Sequence, residues 1–317
     1  MAAYTGDGAG TAESPYLIGT FAQLCEMMTC DNRLISYWKL TADIDASASS
    51  ELDGGAGWTP VGTLADKFRG NFDGDGHTVY NLFINRPTTD YVGFFGFFKW
   101  VQSGRGIFRL RLSYVNITGR DYVGGVSGRA EETHYYCHTT GYVTGRNSVG
   151  GLVGRLVDWI YYSYSDCIVT GVDRVGGLVG DCDWGGFYYG TFTHCYSAGR
   201  VTGTTNVGGF VGAKHASSVF DSCYYDKQTS GQSDTGKGTP KTTVEMGKIS
   251  TYTSWDFVTV WDMYVGYESI YTPTVQSIHT ADVKSAYASA VKSVYASKPK
   301  SIYANRINIY PFLRILG

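Results

Sequence analysis

Charge is scarce in this chain, and long apolar runs are missing. Asp, Glu, Lys and Arg make up 17% of the 317 residues and the net charge is −2, so the sequence lacks the basic footprint of a nucleic-acid or anionic-membrane binder. No apolar stretch approaches the ~20 residues of a membrane-spanning helix, and membrane insertion is not expected. Met1 is followed by AAYTGDGAG, with neither a charged nor an apolar leader region, and no signal peptide is read there. No apolar 3.6-residue period lies between the strand-like segments, which leaves no room for helical crossovers. A serine elbow and an ordered triad are both lacking. The opening GDGAG precedes no helix, and residues 231–238 (GQSDTGKG) put glycine where a phosphate loop needs its Mg²⁺-binding Ser or Thr. The latter reads as a solvated loop. No cofactor is expected, and the chain reads as non-enzymatic.

What the chain does have is glycine, tyrosine and a repeat. Gly numbers 42 and Tyr 26. The phrase YVGGVSG (122–128) returns as SVGGLVG (148–154), RVGGLVG (174–180) and NVGGFVG (206–212), with a degenerate YVGFFGF at 91–97. Its first glycines, Gly93, Gly124, Gly150, Gly176 and Gly208, step by 31, 26, 26 and 32 residues. A period of this size marks stacked units, none of which buries its apolar face alone. Between the phrases lie short Val/Thr/Ile/Tyr-rich segments such as YVNITG, GYVTG, CIVTG and GRVTG, which suit strands. The pattern predicts an all-β parallel β-solenoid (β-helix) of about 26–32-residue coils, with three strands per coil and glycines at the corners, where φ > 0 costs them nothing. Cys137, Cys167, Cys195 and Cys223, spaced 30, 28 and 28, predict a cysteine column. Equivalent residues of stacked strands lie about 4.8 Å apart, and buried free thiols are expected because disulfide geometry is narrow. The residues three before each, His134, Tyr164, Phe192 and Phe220, should point inward. Phe21, Leu24, Cys25 and Met28 share one face of a short helix that would cap the stack.

The motifs GTAESPYLIGTFAQL, YWKLTADID, GWTPVGT, FRGNFDGDGHTVYNLFI, the VGGLVG series, CYYDKQTSGQ and the terminal YPFLRI together resemble the GLUG-repeat family. That resemblance covers roughly residues 10–265 and 307–317. It implies a β-solenoid domain of the kind found in bacterial and archaeal surface adhesins and phage-encoded proteins, and it supplies no catalytic motif. Two departures stand out. The linkers after VGGLVG are long and aromatic where the family has small polar turns. The closing WDM…YPFL unit is split by an insert.

The insert is a second repeat. YESIYTPT, VQSIHTAD, VKSAYASA, VKSVYASK and PKSIYANR are five octads over 267–306. An even period keeps strand alternation in register, and Pro273 and Pro299 oppose helix. The expected organisation is an N-terminal cap (1–60), the solenoid (61–265), the octapeptide arm (266–306) and a closing strand (307–317). Tyr271, Tyr287, Tyr295 and Tyr303 of the arm are candidates for assembly contacts.

The aromatic linkers carry the candidate ligand site. They hold Tyr135 and Tyr136, then Asp158, Trp159, Tyr161 and Tyr162, then Asp183, Trp184, Phe187, Tyr188 and Tyr189. Rings projecting from one side of a stack can bind sugar faces, with Asp158, Asp183 and Arg155 placed for hydroxyls, and exposed aromatic patches usually mean contact. The reading is an adhesin or receptor-binding protein that recognises a cell-surface glycan or receptor, sits outside the cell, on its surface or on a virion such as a phage tail fibre, and contacts further copies of itself. One alternative is a fibre or lattice subunit joined through the octad arm. Another is a tailspike-like depolymerase, for which Asp158 and Asp183 would be the paired carboxylates. Asp73 and Asp75 could suggest calcium, but an Asp turn fits FDGDGH better. His134, Cys137, His138, His194 and Cys195 lie on neighbouring coils, yet alternation turns His138 away from Cys137, and no metal is expected. One Asn-x-Thr triplet, Asn116-Ile117-Thr118, stands alone.

Overall fold

A computed structural model describes residues 3–99, 106–182, 189–263 and 310–313. The chain is a parallel β-solenoid. Each complete coil contributes four strands, each to a different face. In one coil these are His134–Tyr135, His138–Thr144, Asn147–Gly150 and Val153–Leu156, and the next coil starts at Trp159–Tyr161. The first face carries eight strands in the order they occur along the chain, and the second carries ten, eight of them along its main path.

Four faces replace the expected three because VGGLVG is two strands, not one. The chain turns at its Gly-Leu step. The valine and first glycine end the third face, and the second valine opens the fourth. The side chains at the turn, Val126, Leu152, Leu178 and Phe210, are fully buried. Register follows the phrase: Val123 pairs with Val149, Val149 with Val175, and Val175 with Val207.

The φ > 0 positions at the third-face bend are not the glycines. They are the residues just before VGG: Tyr91, Tyr122, Ser148, Arg174 and Asn206, with φ between 49° and 60°. Inter-coil hydrogen bonds run through the bend, as from Val92 N to Tyr122 O at 3.0 Å, and so hold a backbone that L-residues otherwise avoid. The glycines are needed for space. A Cβ on Gly150 would lie 2.1 Å from Val153 O and 2.6 Å from Gly180 N.

The N-terminal helix, Phe21–Glu26, has a Thr20/Gln23 capping box. Leu24 and Met27 are fully buried, whereas Cys25 is only half-buried. Strands within residues 1–60 already belong to the stack: Tyr16–Ile18 pairs with Tyr37–Leu40, which pairs with Asn71–Asp73 on the first face.

The opposite end is closed by the phosphate-loop-like segment, so the expected solvated loop is corrected. Asp234 Oδ1 accepts from Gly209 N at 2.9 Å, and Lys237 Nζ donates to Gly212 O at 2.8 Å. These groups satisfy the last VGG coil, which pairs with no further coil among the described residues. The WDM and YPFL halves of the closing unit rejoin across the insert, with Trp261 opposite Leu313 and Asp262 opposite Phe312, antiparallel. Tyr310 and Trp261 cover a stack of second-face rings: His138 on Tyr164 at 4.6 Å and Tyr164 on Tyr196 at 4.7 Å. The octad tyrosines Tyr271, Tyr287, Tyr295 and Tyr303 lie outside the described residues.

All seven cysteines are free, but the predicted column is corrected. His134 pairs with Ile160 and Ile160 with Phe192, which aligns Cys137 with Ser163 and Ser163 with Cys195. Cys137 N donates to Ser163 Oγ at 3.0 Å. Cys167 sits on the second face opposite Gly141. The even spacing misled because coils of unequal length shift register. By the same register the inward first-face residues are His134, Ile160, Phe192 and Phe220. Tyr164 belongs to the outer stack.

Candidate functional site

The outer side of the first face carries the aromatic residues that the sequence singled out. Tyr135 and Tyr161 lie on the first-face strands rather than on loops. Alternation turns His134 and Ile160 inward and Tyr135 and Tyr161 outward. Tyr135 stacks between Phe108 at 5.5 Å and Tyr161 at 4.7 Å, with interplanar angles of 3° and 11°. At the adjoining bend Tyr136 stacks on Tyr162 at 5.0 Å, and both have φ near +50°. Tyr162 then meets His194 at 5.4 Å. The ring faces therefore cover one another, and edges and hydroxyls point outward. Trp159 is different. It is 46% exposed and meets Tyr161 only at a tilt, at 6.3 Å and 57°. Tyr189 is exposed and lies flat against His215 at 6.0 Å. Asp183, Trp184, Phe187 and Tyr188 fall outside the described residues.

Arg155 does not join this group. It lies on the fourth face, with its guanidinium 5.6 Å from the Tyr122 ring centre and 3.6 Å from Asp181. Asp73 and Asp75 form the expected turn: Asp73 Oδ1 accepts from Asp75 N at 2.9 Å, and Arg109 and Lys39 neutralise the two carboxylates.

The residue that the sequence reading missed is Glu132. It sits at the bend before the first face, one coil from Asp158, and the two carboxyls are near enough to act on each other electrostatically. Their separation of 26 residues is the VGG step of those two coils, and that step could have found the pair. The spacing of 25 residues pointed instead to Asp183 as the partner of Asp158. Burial pushes Glu132 up to about 7 and Asp158 up to about 6, with the Asp158 charge adding to the effect on Glu132. Thr133 N donates to Glu132 Oε2 at 3.0 Å. Burial, with Asp158 adding, also raises the Tyr135 and Tyr161 phenols. Near neutral pH this corner holds two carboxyls that burial shifts toward their protonated forms, beside an exposed indole and two tyrosines.

His134 takes no part. Its Nε2 is 2.9 Å from Ser127 Oγ, and both side chains have zero exposure. Burial lowers His134 to about 4, so it is neutral. A Ser–His pair sealed inside the core meets no substrate. Among the described residues no group of three or more His, Cys, Asp or Glu side chains could hold a metal ion, and no helix is long and apolar enough to cross a membrane.

No protein-family model matches the chain. It is 38% identical over 147 residues, 45% of its length, to halomucin of Haloquadratum walsbyi, and 35% identical over 125 residues, 38% of its length, to a "Putative Gly-rich membrane protein" of Evansella cellulosilytica. The chain spans only 2% and 14% of those two relatives. Its fold is similar to a crystal structure described as a "putative immunoglobulin A1 protease" from Bacteroides ovatus, with a TM-score of 0.60 and 20% identity, over 81% of this chain and 92% of that one. At that identity the likeness concerns the fold alone.

Proposed function

We propose that this chain is a non-catalytic, surface-displayed recognition module of the GLUG-repeat type, which binds a glycan or glycosylated receptor on the outer side of its first face. The observation that carries the reading is Trp159. It is a large ring left 46% exposed in a molecule that stacks nearly all its other first-face rings. Its indole offers an open face for a sugar ring, and the Glu132–Asp158 pair and the Tyr135 and Tyr161 hydroxyls offer hydrogen-bonding partners alongside. A stiff stack presents these groups already ordered, which lowers the entropic cost of binding. The two relatives, one named halomucin and one a "Putative Gly-rich membrane protein", support a surface location.

A glycan array probed with the full chain tests the reading. Trp159→Ala should weaken the best hits by about tenfold or more with unchanged far-UV circular dichroism. Equal binding by wild type and variant refutes a site on this face.

A further inference from the structure

The Asn116-Ile117-Thr118 triplet is the one Asn-x-Ser/Thr sequence in the chain, and the fold gives it an unusual setting. It lies in the second-face strand Arg111–Thr118, away from the first-face site. Strand alternation buries Val115 and Ile117 and turns Tyr114, Asn116 and Thr118 outward. Asn116 is exposed, and its carboxamide has no hydrogen-bond partner among the described residues; the Thr118 hydroxyl is equally unengaged. Tyr142 on the next coil and Phe83 on the other side sit directly opposite Asn116.

Two of these neighbours are anomalies. Tyr114 is 69% exposed and Tyr142 is 50% exposed, and neither ring stacks on another among the described residues. Tyr114 is held in that position by a bulge: its φ is +57°, its N–H donates to Thr140 Oγ1 at 3.0 Å, and the pairing register shifts there. An extra residue thus sets an open aromatic ring two positions before an open asparagine. Most of the described tyrosines are covered, and these two stand bare beside the triplet, one on its own strand and one on the next coil.

We propose that Asn116 is an N-glycosylation site and that the first N-acetylhexosamine of its glycan lies on Tyr114 and Tyr142. In the transfer, the Asn116 amide nitrogen attacks C1 of an oligosaccharide carried on a lipid pyrophosphate. The N–C1 bond forms, the C1–O bond breaks, the lipid pyrophosphate leaves with the electron pair, and the nitrogen gives up one proton. The donor and the oligosaccharyltransferase come from the secretory route, and Thr118 supplies the hydroxyl that the triplet requires. The sugar's apolar face then covers rings that otherwise face water.

The full chain, expressed behind a secretion leader in a eukaryotic host, tests this. Intact-mass measurement should show an added glycan that is lost in Asn116→Gln and Thr118→Ala and kept in Thr118→Ser. Trimming the glycan to its first sugar with an endoglycosidase should leave Tm unchanged. Removing the whole glycan with an amidase should lower Tm by about 2 °C or more. In a Tyr114→Ala/Tyr142→Ala variant that same removal should leave Tm where it was. An unmodified Asn116 in well-folded secreted protein overturns the site. A Tm loss of the same size without the two tyrosines overturns the stacking. The first-face glycan reading stands or falls separately, since Asn116→Gln leaves Trp159 untouched.

Discussion

Replacing Glu132 by Gln removes a titration while keeping the shape of the corner. In the wild type, burial raises Glu132 from 4.5 to about 7 and Asp158 from 3.8 to about 6. An acid whose folded pKa is raised holds a proton that the unfolded chain has released, so the folded state loses stability as pH rises. The loss begins near the unfolded values, around pH 4, and is complete above about pH 7. At ~1.4 kcal/mol per unit the Glu132 shift alone has a ceiling of about 3 kcal/mol. The bend borders solvent, which screens the pair, and about half of that, ~1.5 kcal/mol, is the expected effect. In Glu132→Gln the new side-chain carbonyl still accepts from Thr133 N. Urea unfolding of both proteins from about pH 5 to about pH 8.5 measures the difference. The variant should be ~1.5 kcal/mol more stable than wild type at about pH 8 and close to it at about pH 5. His134 titrates with the opposite sign, because its lowered pKa costs stability as pH falls from about 6.5 towards 4. The difference between the two proteins cancels that contribution. A difference that stays flat with pH, or grows toward acid, refutes the burial-raised Glu132 carboxyl.

Two further outcomes follow from the fold. Gly150→Ala should destabilise by roughly 3 kcal/mol or more, since its Cβ meets backbone of its own coil and the next. Gly231→Ala, which meets nothing within 4 Å but has φ +70°, should cost only about 1 kcal/mol; equal chemical-denaturation midpoints would contradict the close-approach account. Replacing residues 264–309 by Asn-Gly should leave Tm within about 2 °C of wild type, because the Trp261–Leu313 pairing then closes through a short hairpin connection. Mass in solution from light scattering on the same variant tests the octad arm as an assembly element, and an unchanged oligomeric mass rules that role out.

The VGG phrase alone determined the coil, since a recurring run of small and β-branched residues that cannot bury itself has few stable outcomes other than stacking. The capping helix and the Asp73 turn were legible for a local reason: an apolar face with i, i+3 and i+4 spacing and an Asx turn are set by residues only a few apart. Relations between coils needed the tertiary structure. Cysteine spacing predicted a column that register broke at Cys167, because coils of 26 and 32 residues differ in where they place their extra length. The same register, hidden in a step of 26, joined Asp158 to Glu132 and not to Asp183. Tyrosine content marked the first face, but only packing decided which rings cover each other and which stay open at Trp159, Tyr114 and Tyr142. Sequence thus set the period of the stack. The unequal arcs between equal phrases, which only folding aligns, decided what stands beside what.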